Sequence, residues 1–268
     1  MSTVITKRRA AAALVTAALL LPLAACGNDD GDGGKADKSN KKDGGSQQAD
    51  LTVLAAASLT DVFKTAGAAY EKAHPGTKVT FSFEGSQELA AKVRQGAPAD
   101  ALVTADTKTM DGLRADTGTP TVIAKNRLVI ATGKGNPKDV KQLKDLAKGD
   151  LKVVLAAPEV PVGRYSEQIL DAQKVSVKPV SQEPNVRAVL SKVELGEADA
   201  GLVYKTDVRA ADGKAEGVDI PDGQNAIAAY PAATLKTSKH ADAAAAFVKW
   251  LSSAEAQKIL RDAGFQKP

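Results

Sequence analysis

Cysteine, histidine and aromatic residues are scarce. The 268-residue chain has one cysteine, Cys26, two histidines, His74 and His240, and one tryptophan, Trp250, with aromatics at 4%. One cysteine cannot close a disulfide within the chain, so the fold must be held by its apolar core. A Cys–His nucleophile pair or a His-rich metal site cannot be assembled from so few residues. His74 falls at an expected helix end and His240 near a helix start, both readable as surface positions. No Gly-x-Ser-x-Gly elbow is present, and Gly133-Lys134-Gly135 lacks the spacing of a phosphate loop. The 32 acidic residues include no specially placed carboxylate pair. Trp250 and most Phe and Tyr residues fall on expected core faces, so no aromatic sugar platform is indicated, and Met110 reads as core filler. The chain is not read as an enzyme.

A long apolar run is also missing. Lys7-Arg8-Arg9 precedes an apolar stretch of only 12 residues, Ala10 to Leu21, whereas a membrane-spanning helix needs roughly 20. Leu23-Ala24-Ala25-Cys26-Gly27 follows. A charged start, a short apolar run and small residues ahead of a unique cysteine resemble a bacterial lipoprotein signal. That resemblance implies cleavage before Cys26 and a diacylglycerol on its sulfur. The residues after Arg8-Arg9 do not fit a twin-arginine export signal well. Without Lys7, Arg8 and Arg9 the 36 basic residues fall to 33, against 32 acidic ones. The mature chain is nearly neutral, and no nucleic-acid partner is inferred. From Gly27 to Ala49 there is no Val, Ile, Leu or aromatic residue. Such a segment cannot bury apolar surface against its ordering entropy, so a disordered tether is expected, with a span on the order of 25 Å.

The rest of the chain is organised around Leu51–Tyr70. Leu51-Thr52-Val53-Leu54 is β-prone and apolar. After three alanines, Leu59, Val62, Phe63, Ala66, Ala69 and Tyr70 follow at helical spacing. Ser58 is expected to cap that helix, with Asp61 completing a capping box. A strand ending in small residues and feeding a helix leaves free N–H groups and a positive dipole end, a geometry suited to anions. Further strands are expected at Val79–Phe83, Ala101–Thr104, Asn126–Thr132, Leu151–Leu155 and Ala200–Tyr204. Helices are expected at Gln87–Gln95 behind Ser86, from Asp106 to Leu113, at Val140–Ala147, from about Arg164 to Gln173, and at Val186–Leu195 behind Asn185. Two more are expected at His240–Leu251 and Ser253–Ala263, with Gly264 as a stop. The β-α alternation predicts an α/β fold.

Five segments carry a family resemblance: Ala55-Ala56-Ala57-Ser58-Leu59-Thr60, Gly96-Ala97-Pro98-Ala99-Asp100, Pro158-Glu159-x-Pro161-x-Gly163-x-Tyr165, Asn185-Val186-Arg187, and Gly201-Leu202-Val203-Tyr204. In this order and spacing, from about Leu51 to the Phe265 region, they resemble the molybdate-binding components of ABC importers. The resemblance implies a two-lobed class II periplasmic-binding-protein fold, each lobe a mostly parallel sheet flanked by helices, with an oxyanion in the interlobe cleft. The expected division is a signal peptide over 1–25, the lipidated Cys26 and tether over 26–49, lobe 1 over 50–128 and 229–268, and lobe 2 over 129–228. The implied anion contacts are Ser58 and Ser86 from lobe 1 and Val162, Val186 and Tyr204 from lobe 2. They hold molybdate or tungstate without a direct metal ligand or cofactor; sulfate is the rival oxyanion. Val162 stands where the family commonly has Ala, so its side chain must turn away from the anion. Glu84 lies close to Ser86, where its carboxylate would repel a dianion, so it is expected to point to solvent. Arg164 and Arg187 read as solvated helix charges. ABC permease subunits are the implied partners, and a monomer lipid-anchored outside the cell membrane is expected.

Overall fold

In the computed structural model, which describes residues 49–268, the chain enters as β1 (Ala49–Ala56). The expected signal peptide, Cys26 and the tether as far as residue 48 lie outside the described residues. Ala49, read as the end of the tether, is already paired opposite Thr77. The second half of β1 is buried, as befits an apolar strand covered on both faces.

A 3₁₀ turn (Ala57–Leu59) leads into α1 (Thr60–Ala73), and then come β2 (Thr77–Glu84), α2 (Ser86–Arg94), β3 (Ala101–Val103), α3 (Thr107–Asp111) and β4 (Thr121–Gly133). Next are β5 (Val153–Ala156), α4 (Pro161–Ala172), β6 (Ser181–Glu183), α5 (Val186–Glu194), β7 (Ala200–Tyr204), α6 (Lys205–Ala210) and β8 (Ala215–Asp219). The chain finishes with β9 (Ile227–Thr234), α7 (Ala241–Trp250) and α8 (Ala254–Asp262). The strand order is β2-β1-β3-β9-β4-β7-β5-β6, with β8 also on β4.

Two lobes follow from one long strand. β4 pairs antiparallel with β9 over Thr121–Arg127 and with β7 and β8 over Leu128–Gly133. The first lobe adds the parallel trio β1, β2 and β3, and the second adds the parallel trio β5, β6 and β7. Asn225 fastens the return crossing to the outgoing one. Its Oδ1 accepts from Leu128 N at 3.1 Å, and its Nδ2 donates to Leu128 O at 2.9 Å. Asp100, from the Gly96–Asp100 segment, is structural. Its carboxylate accepts from Thr52 N at 2.8 Å and Ser238 Oγ at 2.6 Å, which ties β1 to the segment leading into α7.

Local chemistry explains most boundaries. Asp106, Asn185 and Ser253 each accept a backbone N–H two or three residues into the helix they start. Gly264 takes φ 97° just past α8. α4 begins at Pro161 rather than near Arg164, because a proline at the first helical position loses no hydrogen bond. The helix expected at Val140–Ala147 is only a 3₁₀ turn (Leu143–Ala147). Asn136 and Asp139 take left-handed backbone at φ 44° and 49°, and the Asn136 side chain bonds both Val140 N and Val140 O. β6, α6 and β8 have no counterpart in the sequence reading; they are short and mostly polar, so they carry little periodic signal.

Candidate functional site

Ser58, Ser86, Val162, Val186 and Tyr204 all line one small pocket between the lobes. The chain brings them there by repeating one device: a strand ends, the chain turns, and a helix starts with its free N–H groups toward the gap.

Ser58 does not cap its helix. Leu59 precedes α1 without a side-chain cap, and Ser58 Oγ lies 2.9 Å from Tyr230 Oη. Asp61 completes no capping box; its Oδ2 pairs with Arg187 Nη1 at 2.8 Å. Ser86 is the first residue of α2 rather than its cap, and Gly85 holds the cap position, its N–H donating to Glu88 Oε2 at 2.8 Å. Ser86 Oγ accepts from Ala105 N at 3.0 Å, which leaves its own proton free to donate. Val162 and Val186 sit in the first turns of α4 and α5 with their side chains in the core, so they offer backbone amides to the pocket. Tyr204 ends β7. Its ring is buried and its hydroxyl has no hydrogen-bond partner. Burial raises its pKa well above the usual phenol value, so the hydroxyl keeps its proton.

The five expected contacts are therefore neutral groups that can all donate. Glu84 borders the pocket, but its carboxylate bonds Lys92 Nζ and Ser82 Oγ. Burial pushes the Glu84 pKa up, yet those two bonds bring the net shift below the usual carboxylate value. Tyr165 is raised to about 12, first by burial and then by the nearby Asp106.

The two arginines are not solvated charges. Arg164 of α4 pairs with Asp106, the cap of α3, and its Nη2 also donates to Thr109 Oγ1 at 2.9 Å. Arg187 of α5 reaches Asp61 of α1 and also lies with its Nε 2.8 Å from Oδ1 of the fully buried Asp207. That second contact is an ion pair without a directed hydrogen bond, since neither atom finds a hydrogen-bond partner. Arg164–Asp106 and Arg187–Asp61 thus bridge the lobes, and Gln87 Nε2 adds a bond to Pro184 O at 2.7 Å. The sequence pattern could not reveal these partners, because helix-start charges look alike whether they face water or the opposite lobe. Tyr230 and Asn126 were equally invisible, since they act on Ser58 and Thr206, distant in sequence, whereas Asp207 also closes a local capping box by accepting from Tyr204 N at 3.0 Å.

A larger cavity of ≈ 320 Å³ lies beside Ser58 and Arg187, lined by Val62, Ile259 and Phe265 together with polar side chains such as Thr65, Thr206 and Arg209. Among the described residues no cluster of His, Cys, Asp or Glu could hold a metal ion, and no helix is long and apolar enough to cross a membrane.

Residues 51–266 match the family of bacterial extracellular solute-binding proteins. The molybdate-binding protein ModA of Mycobacterium tuberculosis is 40% identical over 81% of this chain and 85% of its own. ModA of Haemophilus influenzae is 34% identical over 81% of this chain and 90% of its own. The periplasmic molybdate-binding protein of Azotobacter vinelandii superposes with TM-score 0.70 at 23% identity, over 81% of this chain and 99% of that one, which bears on the fold. These relatives are binding proteins rather than enzymes. With its two lobes, its donor-lined cleft and this match across the described region, the chain belongs to the bacterial extracellular solute-binding protein family.

Proposed function

We propose that this protein captures molybdate, or the nearly isosteric tungstate, outside the cell membrane and delivers it to an ABC permease. The observation that carries this reading is the unpartnered, buried Tyr204 hydroxyl at a pocket also lined by the Ser58 and Ser86 hydroxyls and by Val162 and Val186, whose amides can donate. Molybdate is a tetrahedral dianion without a proton at neutral pH, so it asks for donors only. Five charge-assisted hydrogen bonds at roughly 1.5–3 kcal/mol each are compatible with micromolar to nanomolar affinity after ordering costs. The ModA relatives support the choice of ion.

The working assembly in this reading is a monomer with lobe 1 over 50–128 and 229–268 and lobe 2 over 129–228. The lobes close on the ion and present it to the permease subunits. The leader over 1–25 is removed, and Cys26 carries a lipid that holds the protein at the outer face of the membrane. Calorimetric competition among molybdate, tungstate and sulfate tests the ligand. Binding of the first two with sulfate excluded is expected, and a flat molybdate titration refutes the reading. Cys26→Ser should move the protein from the membrane fraction to the soluble one; continued attachment would refute the anchor.

A further inference from the structure

Behind Ser58 stands a chain of buried polar groups that no ligand contact requires. Asn126, Thr206, Tyr230 and Ser58 are all buried. Asn126 Oδ1 accepts from Arg127 N at 3.0 Å, which fixes the amide orientation. Its Nδ2 then faces Thr206 Oγ1 at 2.8 Å and Tyr230 Oη at 3.5 Å. An amide nitrogen only donates, so Tyr230 receives there and has a single proton to give. Burial raises the Tyr230 pKa far above the usual phenol value, so that proton stays in place. The acceptor within reach is Ser58 Oγ at 2.9 Å. Ser58, accepting from Tyr230, keeps its own proton to give, and the anion pocket is one of the two cavities it lines.

We propose that Tyr230, oriented by Asn126, is a positioning residue that locks Ser58 as a donor and so makes the pocket select oxyanions that carry no proton. This rests on the oxyanion-binding reading above and deepens it. A hydroxyl free to rotate could accept from hydrogenphosphate or hydrogenarsenate as readily as donate to a dianion. With Tyr230 in place, a protonated oxyanion meets only donors on this side and leaves its own O–H unanswered.

Four proteins test it by calorimetry: the natural chain, Ser58→Ala, Tyr230→Phe and the double variant, each titrated with molybdate and with phosphate at neutral pH. Tyr230→Phe should weaken molybdate binding roughly tenfold and narrow the molybdate-to-phosphate ratio by a similar factor. Ser58→Ala and the double variant should bind molybdate equally, because Tyr230 acts only through Ser58. Additive losses, or an unchanged ratio in Tyr230→Phe, would overturn the inference while leaving the binding function intact. A natural chain with no molybdate heat would overturn both. The double variant removes both partners of the 2.9 Å bond, so it leaves neither hydroxyl stranded. It remains informative if Tyr230→Phe alone folds poorly.

Discussion

A buried hydroxyl without a partner costs free energy in the empty protein, and Tyr204 carries one. Tyr204→Phe should therefore leave thermal stability unchanged or slightly higher while weakening molybdate binding roughly tenfold, as read by calorimetry. Asp207 gives a second test. Burial lifts its carboxyl from the ordinary 3.8 to about 6, against the pull of Arg187. Between those values the folded chain keeps a proton that the unfolded chain has released. The contribution to stability is thus full below the lower value and lost as pH rises through about 6. Asp207→Asn should flatten that slope in urea unfolding followed across this window; an unchanged slope would assign it to other groups. At this scale the sequence was readable at the helix starts Asp106 and Asn185, each of which accepts a backbone N–H three residues on. It was not readable for Ser58, whose hydroxyl partner lies 172 residues away in the chain.

The starts of α4 and α5 carry both the amides of the pocket and the arginines that cross the gap. Arg187 is 25% exposed at its side chain and Asp61 54%, so this bridge is a partly wet ion pair. Such pairs contribute about 0.2–1 kcal/mol and are screened by salt. Asp61→Ala should weaken anion affinity by a factor of about two to five, since whatever favours the closed lobes adds to apparent affinity. The loss should be the same for molybdate and tungstate, because Asp61 is not among the residues lining the anion pocket, and it should shrink at high salt. A loss that differs between the ions, measured by paired titrations, would give Asp61 a direct role. Helical spacing marked where α1, α5, α7 and α8 lie, because each buries one apolar face. It could not say what their polar faces meet, since partner choice depends on how the lobes are set against each other.

The alternation of strands and helices made the α/β architecture legible, yet it gave no warning that β4 serves both half-sheets. Asn126–Thr132 reads as one ordinary strand, but β4 already begins at Thr121, and the β9 stretch Ile227–Ala232 that pairs with Thr121–Arg127 arrives about a hundred positions later. Closure of the whole molecule depends on close approach at Gly85. Its φ of −60° suits any residue, so space rather than backbone freedom requires glycine. A Cβ there would lie 2.5 Å from Pro184 O on the opposite lobe. Gly85→Ala should hold the cleft ajar: molybdate affinity falls at least tenfold by the usual scale of a lost closure contact, with melting of the empty protein unchanged. Small-angle scattering should then register no compaction on adding the ion, and compaction equal to that of the natural chain would disprove the steric stop. The single amide side chain of Asn225 clasps Leu128 on both its backbone polar atoms, so the two crossings are held together at one spot where the β4–β9 ladder ends. Like a gate hung on one pin, the molecule can swing about that spot but cannot slide along it, and the mouth must therefore open widest at the rim farthest from Asn225.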